Sequence, residues 1–267
     1  MAVRLIAFDL DRTLLESSDT PSRAGLQALG EASQRGVILV PATGRALMRI
    51  PAPVLELPGL RYLILLNGAV IYDIEQKAPL WQSLLTGRQA RSILAYAQSL
   101  DICTDIYVDG QVFAARHCYE NAPRHILDEA LRRRYLLSRV PVENLDAVLQ
   151  AEDASPEKMF LHIADDHKRA QVSSHLQEAF GVSVTSSAPY SLEASAKGVD
   201  KGNALRTLCE MLEIPLHEVM AVGDSINDMG MLRTAGLSVA MGNALEDIHI
   251  TADNDHDGLA QAVRRFL

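Results

Sequence analysis

Four short segments of the chain carry carboxylate, hydroxyl and amine side chains at spacings that suit catalysis. The first is Asp9-Leu10-Asp11-Arg12-Thr13, which directly follows an apolar run. One carboxylate can attack phosphorus and form an aspartyl-phosphate, while a second carboxylate two residues later protonates the leaving oxygen and then activates water. The same pair also fits an ordinary turn at a strand end, so its meaning depends on the other three segments.

The second and third segments carry groups that can bind an anion. In Pro41-Ala42-Thr43-Gly44-Arg45, Thr43 can donate its hydroxyl to a phosphate oxygen, and Gly44 is expected to open a helix whose N–H groups face the anion. Lys201, at a predicted helix start, can neutralise an attacking carboxylate and the phosphoryl group together. Taken singly, Thr43 also fits a helix N-cap and Lys201 a solvent-exposed lysine.

The fourth segment runs from Ala221 to Asp228 and is an apolar strand that opens into an acidic loop. Mg²⁺ takes oxygen ligands and keeps several waters, so a few carboxylates from separate loops are enough to hold it. Asp224 is the candidate direct ligand, and Asn227 and Asp228 are expected to orient waters or Lys201. The alternative is a plain acidic turn, but two carboxylates four residues apart after a buried strand argue against it.

The four segments adjoin predicted elements of an alternating β and α pattern. Apolar, β-prone runs predict strands at residues 3–8, 37–42, 62–66, 69–72 and 217–222. Thr20-Pro21 is expected to begin a helix and Gly36 to end it, while Asn67-Gly68 fits a tight turn. This order predicts a parallel sheet with right-handed crossovers. Since ligands bind at the carboxyl ends of such strands, the segments are expected to meet at one edge.

The pattern changes between residues 84 and 190. A helix is predicted near residues 87–100, a hairpin turning at Asp109-Gly110, and a strand from Lys158 to Ile163. A helix predicted at residues 201–212 then resumes the alternating β and α pattern of the first part of the chain. The chain is therefore predicted to form one domain from residues 1–83 and 191–267, interrupted by an α+β domain of residues 84–190.

Composition excludes several classes of protein. The chain has 267 residues with a formal net charge of -9, which argues against general nucleic-acid binding. Its first apolar run is cut short by Asp9 and Asp11, too early for a signal peptide or a membrane span, so a cytoplasmic protein is expected. The three cysteines lack a CxxC spacing, which predicts neither a disulfide nor a zinc site and fits a reducing compartment.

Together the four segments resemble the haloacid dehalogenase superfamily of phosphotransferases. The nearest resemblance is to its Cof-type subfamily, whose cap is inserted between the second and third motifs. Supporting segments are Leu66-Asn67-Gly68-Ala69, Lys201-Gly202-Asn203-Ala204-Leu205, Asp228-Met229-Gly230-Met231-Leu232 and Ala240-Met241-Gly242-Asn243-Ala244. The resemblance implies an α/β fold, with a Rossmann-like doubly wound parallel sheet as core and an inserted α+β cap domain.

The resemblance also implies a role for each site residue. The implied nucleophile is Asp9, and the implied general acid/base is Asp11. The implied phosphate-binding residues are Thr43, Gly44, Lys201 and Asn227. The implied metal-site residues are Asp9, Asp11 through its carbonyl, Asp224 and Asp228. Arg45 and Asn67 are further candidate substrate contacts, with Asn67 equally consistent with a turn residue. Arg12 departs from the family, whose members usually carry glycine there. Its side chain is expected to point to solvent, the alternative being a charged or restricted entrance.

The implied activity is that of a magnesium-dependent phosphatase acting on a small phosphorylated metabolite. Sugar phosphates, nucleotides and cofactor phosphates all remain open as substrates. Two alternatives remain open as well: a phosphomutase, which would return the phosphoryl group to a sugar, and a phosphate-binding protein without catalysis. The expected partner is a small phosphate ester, with no nucleic acid, membrane or obligate protein partner.

Overall fold

The computed structural model describes residues 2–125, 129–150, 154–186, 190–244 and 252–267. The chain divides into two compact units. The core unit comprises Met1–Gln82 and Val199–Leu267, and the inserted unit comprises Ser83–Gly198.

Strands and helices alternate through most of the described residues. The strands are β1 (Leu5–Phe8), β2 (Ile38–Pro41), β3 (Tyr62–Leu65), β4 (Val70–Asp73), β5 (Ala78–Gln82), β6 (Thr104–Val108), β7 (Gln111–Ala115), β8 (Val140–Val142), β9 (Lys158–His162), β10 (Ser183–Thr185), β11 (Ser191–Ser195), β12 (Val219–Gly223) and β13 (Leu237–Ala240). The helices are α1 (Arg23–Gln34), α2 (Ala52–Leu55), α3 (Gly87–Ser99), α4 (Arg116–His125), α5 (Glu129–Ser138), α6 (Leu145–Gln150), α7 (Asp166–Phe180), α8 (Lys201–Met211), α9 (Met229–Thr234) and α10 (Gly258–Phe266).

A four-stranded parallel sheet in the order β13-β12-β1-β2 forms the centre of the core unit. Every residue of β1 is buried, as expected of a central strand covered on both faces. Leu5 of β1 lies opposite Val219 on one side and Ile38 on the other, so β1, β2 and β12 run in register. Their carboxyl ends lie at the same edge, and the predicted parallel sheet is confirmed.

A second, antiparallel sheet of the core unit has the order β3-β4-β5. The predicted turn at Asn67-Gly68 joins β3 to β4, and Asn67 takes a left-handed backbone with φ 58°. Ala42, directly after β2, forms a parallel bridge with Ile64 of β3. The start of this sheet is thereby attached to the edge strand of the parallel sheet.

The start of α1 differs from the prediction. Thr20-Pro21 was expected to begin the helix, but the N-cap is Ser22, whose hydroxyl accepts a hydrogen bond from the Gly25 N–H at 3.1 Å. Pro21 instead forms an antiparallel bridge with Leu15. The hydroxyl of Ser22 also donates to Asp257 at 2.8 Å, a long-range contact that local helix signals do not include. Gly36 follows the helix with φ +83°, as predicted for a residue past its end.

The inserted unit contains a six-stranded sheet in the order β10-β11-β9-β6-β7-β8. One face of this sheet is apolar and packs with helices α3, α6 and α7, through residues that include Ile106, Met159, Leu161, Leu192 and Ala194. β11 pairs with β9, so residues 191–195 belong to the inserted unit, whereas the sequence analysis assigned them to the core. The sequence Ser-Leu-Glu-Ala-Ser alternates polar and apolar residues, unlike the continuous apolar runs of β1 and β2, and its pairing with β9 assigns it to the inserted unit.

Cys103 and Cys118 form a disulfide within the inserted unit, so the expectation of no disulfide is wrong. Cys103 precedes β6 and Cys118 lies at the start of α4, with their Cα atoms 5.7 Å apart. The β6–β7 hairpin pairs Val108 with Gln111, and the same register continued toward residue 103 places it opposite residue 116. The hairpin, rather than the cysteine spacing, therefore brings the two sulfurs together.

The other face of the inserted sheet carries buried charged side chains. Asp105 accepts hydrogen bonds from Arg139 Nε at 3.1 Å and Nη2 at 3.0 Å, and His162 Nε2 lies 3.0 Å from the same oxygen. Burial raises the pKa of Asp105, but the charges of His162 and Arg139 outweigh it, so the net pKa is lowered. On the same face, buried Lys158 pairs with buried Glu193.

We predict that Asp105→Asn destabilises the protein by about 3 kcal/mol at pH 7, because Arg139 then keeps a buried charge without its carboxylate. Urea denaturation followed by circular dichroism measures the effect, with the exposed Asp101→Asn as matched control. Since the folded pKa of Asp105 is lowered, its contribution is complete above about pH 4 and disappears as the pH falls through the folded value. Equal stability of the two variants at pH 7 would contradict this role.

Candidate active site

The candidate site lies at the carboxyl edge of the parallel sheet, within the core unit. Asp9 follows β1, Thr43 follows the end of β2, and Asp224 follows β12. Backbone hydrogen bonds continue the sheet to these positions, with Asp9 N–H donating to Val222 O at 3.0 Å and Ala42 N–H to Phe8 O at 2.8 Å. The rigid sheet therefore fixes the backbone from which the functional side chains project.

Lys201 is fully buried and lies between two carboxylates. Its ammonium donates hydrogen bonds to Asp9 Oδ1 and to Asp228 Oδ1, each at 2.6 Å. Burial lowers the pKa of Lys201, but the charges of Asp228 and Asp9 outweigh that effect, so its pKa lies above the ordinary value. Lys201 is therefore a protonated, buried cation at neutral pH, and the alternative of a solvent-exposed lysine is wrong.

The start of α8 positions this lysine. Asp200 caps the helix by accepting hydrogen bonds from the N–H groups of Gly202 at 2.7 Å and Asn203 at 2.9 Å. A Cβ atom on Gly202 would lie 2.3 Å from the backbone carbonyl of Gly230 in α9, a separation that no side chain allows. Gly202 thus permits the close approach of α8 and α9 that brings Lys201 to Asp228, one residue before α9.

Asp228 organises the loop that follows β12. Its Oδ2 accepts hydrogen bonds from the backbone N–H groups of Asp224 and Ser225, both at 3.0 Å, while its Oδ1 accepts from Lys201. Asp224 in turn accepts from Ser225 Oγ at 2.9 Å and from Asn243 Nδ2 at 3.2 Å. Burial, followed by the charge of Asp228, raises the pKa of Asp224 to about 6.

The chemistry of this carboxylate group fits a magnesium ion. Asp9, Asp224 and Asp228 are all buried, and each offers a carboxylate oxygen within 4.8 Å of the others. Three buried carboxylates against the one buried ammonium of Lys201 leave an excess of negative charge inside the site, which a divalent cation would offset. Burial and then the charge of Asp228 raise the pKa of Asp9, as expected where buried carboxylates outnumber the buried cations beside them. Hard oxygen ligands of this kind suit Mg²⁺.

The side chain of Asp11 lies apart from these three carboxylates. It is 51% exposed and is held by Arg45, whose Nε donates to Asp11 Oδ2 at 2.9 Å and whose Nη2 donates to Oδ1 at 2.5 Å. Nη2 of Arg45 also donates to Asp19 Oδ1 at 2.5 Å. Burial lowers the pKa of Arg45, but the hydrogen bond and charge of Asp11 outweigh it, and the net pKa is raised. Arg45, predicted as a substrate contact, here contacts two carboxylates.

A polar cradle is formed by Thr43, Gly44, Asn67 and Asn227. Thr43 Oγ1 accepts from Arg45 N–H at 3.1 Å, which leaves the hydroxyl proton able to donate. A Cβ on Gly44 would lie 2.9 Å from Asn67 Oδ1, so the glycine keeps this space open. Asn227 Nδ2 donates to Asn67 Oδ1 at 3.2 Å, and the buried Oδ1 of Asn227 has no partner among the described residues.

Gly44 does not open a helix, contrary to the prediction. The next helical element is a single 3₁₀ turn at Leu47–Arg49, whose N-cap is Ala46. Asn67 N–H instead donates to Thr43 O at 3.0 Å, and Thr43 N–H to Ile64 O at 2.9 Å. The segment after Thr43 is therefore ordered by β3 and its turn, and any anion here meets separate donors rather than a helix N-terminus.

Two residues that support the site, Asp19 and Asn243, were not predicted from the sequence as site residues. Asp19 shares Arg45 with Asp11, and Asn243 donates through Nδ2 to Asp224 and to the backbone oxygen of Arg12 at 3.0 Å. Asn243 was noted only as part of a supporting segment. Its place in a polar loop after β13, at the same edge of the parallel sheet, is the signal that assigns it to the site. Asp19 carries no comparable local signal.

The sequence profile described as haloacid dehalogenase-like hydrolase matches residues 6–263. The chain belongs to this family. It is 30% identical to the phosphatase YwpJ of Bacillus subtilis (strain 168), over 99% of this chain and 100% of that protein. It is also 30% identical to the 5-amino-6-(5-phospho-D-ribitylamino)uracil phosphatase YcsE of the same organism, over 99% of this chain and 96% of that protein.

A solved structure of a haloacid dehalogenase-like hydrolase from B. subtilis superposes with a TM-score of 0.84 at 27% identity, covering 99% of this chain and 100% of that one. The predicted Cof-type resemblance and the α/β fold are confirmed. The chain is accordingly a phosphoric monoester hydrolase of this family. Among the described residues, no helix combines the length and apolar character needed to cross a membrane.

We predict that Gly202→Ala lowers kcat at least tenfold, because the added methyl group forces α8 away from α9 and moves Lys201 from Asp228. Gly30→Ala is the matched control, since Gly30 also lies in a helix but has nothing within 4 Å of an added Cβ. That control should keep its activity and gain about 0.5–1 kcal/mol in stability. Steady-state kinetics and thermal unfolding distinguish the two, and full activity of Gly202→Ala would contradict the proposed positioning.

Proposed function

We propose that the protein hydrolyses a small phosphorylated metabolite in a Mg²⁺-dependent reaction, through a phosphoryl group carried transiently by Asp9. The observation that carries this proposal is the buried ion pair between Lys201 and Asp9, beside Asp224. A lysine in contact with one buried carboxylate reduces its repulsion toward an incoming phosphate dianion. A protein that only bound phosphate would have no need of a carboxylate at that position.

In the first step, a carboxylate oxygen of Asp9 forms a bond to phosphorus as the bond between phosphorus and the leaving oxygen breaks. Lys201 stays hydrogen-bonded to Asp9 and offsets charge as it develops on the transferring group. Asp9, Asp224 and Asp228 are the side chains that would hold Mg²⁺, together with the carbonyl of Asp11. When bound, Mg²⁺ supplies positive charge that screens the phosphoryl oxygens from the carboxylates.

Asp11 is proposed to protonate the leaving oxygen and later to remove a proton from the attacking water. Its partly exposed carboxyl group is bound to Arg45 on one side and is accessible on the other. Because Arg45 also binds Asp19, the charge of Arg45 stays paired when Asp11 turns toward the substrate. Asp19 therefore lowers the cost of releasing Asp11 for proton transfer.

The phosphate is proposed to lie against the polar cradle. The hydroxyl of Thr43 can donate to its oxygens, Gly44 leaves room for it beside Asn67, and Lys201 approaches from α8. Asn227 is proposed to orient water, because its buried Oδ1 is an unpaired acceptor. Asn67 holds the amide of Asn227 in place.

The substrate class is proposed to be a small phosphate ester. The relative YcsE is named for a phosphoribitylamino compound, which is one member of that class. We propose that the inserted unit is the cap of this enzyme and determines which ester is accepted. Residues 83–198 lie outside the unit that contains Asp9, Lys201 and Asp224, so the inserted unit could vary without changing those residues.

We predict that Asp9→Asn reduces turnover by about three orders of magnitude or more, because the amide is nearly isosteric but cannot form an acyl phosphate. Phosphate release from a panel of phosphate esters measures turnover, and rapid quench with a labelled ester measures the protein-bound phosphoryl group. The label should appear on wild type and be absent from the variant. Transfer of the label to another sugar rather than to water would indicate a phosphomutase instead.

We predict that the wild-type enzyme loses activity in chelator and regains it on addition of Mg²⁺. Asp224→Ala should be inactive at Mg²⁺ concentrations that saturate the wild type, because a direct ligand is lost. Glu210→Ala, which removes one exposed carboxylate from the end of α8 distant from Lys201, should keep its Mg²⁺ requirement unchanged. Hydrolysis at the normal rate by demetallated protein would refute the metal assignment.

A further inference from the structure

Arg12 occupies a backbone conformation that does not favour arginine. Its φ is 60°, in the left-handed region where glycine is preferred over residues with a side chain. The residue lies directly after Asp11, in the loop that follows β1. The backbone conformation therefore does not explain why arginine stands at this position. Any advantage of arginine over glycine here must come from the contacts of its side chain.

The guanidinium of Arg12 lies against the outer side of Asp224. Its Nε is 3.5 Å from Asp224 Oδ2, and its Nη2 donates a hydrogen bond to Asn243 O at 3.4 Å. The Arg12 side chain is 61% exposed, whereas that of Asp224 is fully buried. A solvent-accessible cation thus contacts a buried carboxylate from the solvent side.

Asn243 forms hydrogen bonds with both Arg12 and Asp224 and so holds the two residues together. Its Nδ2 donates to the backbone oxygen of Arg12 at 3.0 Å and to Asp224 Oδ2 at 3.2 Å, while its own backbone oxygen accepts from the guanidinium. The N–H of Asn254 donates to Asn243 Oδ1 at 3.2 Å and holds the amide in this orientation. The position of the guanidinium is therefore set by a network of hydrogen bonds through Asn243 and not by one exposed ion pair alone.

We propose that Arg12 is a positioning residue that holds a positive charge beside Asp224 and thereby lowers the affinity of the site for Mg²⁺. The inference rests on the proposed function, since it requires Asp224 to be a metal ligand. An ion held by Asp224 would share its carboxylate with the guanidinium of Arg12, whose Nε lies 3.5 Å from Oδ2. Two positive charges beside one carboxylate repel each other even when water and salt screen them partly.

The consequence is a site that exchanges its metal readily. Asp224 is neutralised partly by Arg12 when no divalent cation is bound, and the two cations then compete for the same carboxylate. With glycine at this position, as is usual in the family that the chain resembles, that competition is missing. We therefore expect this protein to bind Mg²⁺ more weakly than a variant without the charge.

Calorimetric titration of the full-length protein with Mg²⁺ alone tests the proposal. Arg12→Gln removes the charge and should bind Mg²⁺ roughly threefold to tenfold more tightly at low ionic strength, with a smaller difference at high salt. Arg12→Lys keeps the charge and should stay close to wild type. Arg264→Gln, an exposed arginine of α10, changes the net charge equally and should also leave Mg²⁺ affinity unchanged.

Two further variants separate the possible failures. Arg12→Gly suits the left-handed backbone and should also bind Mg²⁺ more tightly, so it decides the matter if Arg12→Gln unfolds. Asp224→Asn should abolish measurable binding, and wild-type affinity in that variant would refute the metal site of the proposed function. If Asp224→Asn loses Mg²⁺ but neither neutral variant of Arg12 binds it more tightly, the role of Arg12 is overturned while the proposed function stands.

Discussion

The hydrogen-bonded pairing of Lys201 with Asp9 and Asp228 is the interaction on which the core unit depends. An ammonium group without contact to water is tolerated only where carboxylates compensate its charge closely. The two carboxylates come from different strand ends, after β1 and after β12, and the lysine comes from α8. One buried cation therefore joins three parts of the chain, with Lys201 lying 192 residues from Asp9 and 27 residues from Asp228 in sequence.

The same interaction explains why the surrounding loops are so closely hydrogen-bonded. Asp228 gives one oxygen to Lys201 and the other to two backbone N–H groups, so it both compensates charge and shapes the loop that presents Asp224. Asn243 then holds Asp224 from the loop after β13. Each carboxylate of the site is thus oriented by at least one neighbour, which is what a site with several like charges requires in order to keep a single geometry.

Much of this arrangement could be predicted from sequence because it depends on strand ends. Short apolar runs followed by Asp9, Thr43 and Asp224 indicate strands whose carboxyl ends share one edge, and topology then brings the side chains together. The pairing of Arg45 with Asp11 and Asp19 could not be predicted in this way, because arginine is long and its partner depends on the path of an irregular loop. The helix start at Ser22 depended likewise on a contact with Asp257 from the far end of the chain.

The inserted unit was harder to predict for a different reason. Its sheet is mostly antiparallel, and in such a sheet the partner of a strand is not indicated by its own residues. The predicted boundary at residue 190 therefore left residues 191–195 outside the unit whose sheet they join as β11. The disulfide between Cys103 and Cys118 depends both on the hairpin register, which places residue 103 opposite residue 116, and on α4, which begins at Arg116 and contains Cys118.

The contact between Gly202 and Gly230 sets a limit on how this enzyme can be made more robust. Glycine within a helix is about 1 kcal/mol less favourable than alanine, so design rules based on helix propensity would replace both residues. Here the missing methyl group leaves the space in which α8 approaches α9 and so brings Lys201 to Asp228. Alanine in place of Gly202 would therefore favour the helix locally but disturb the geometry of the site. Substitutions on the exposed face of α8 would stabilise this helix without that effect.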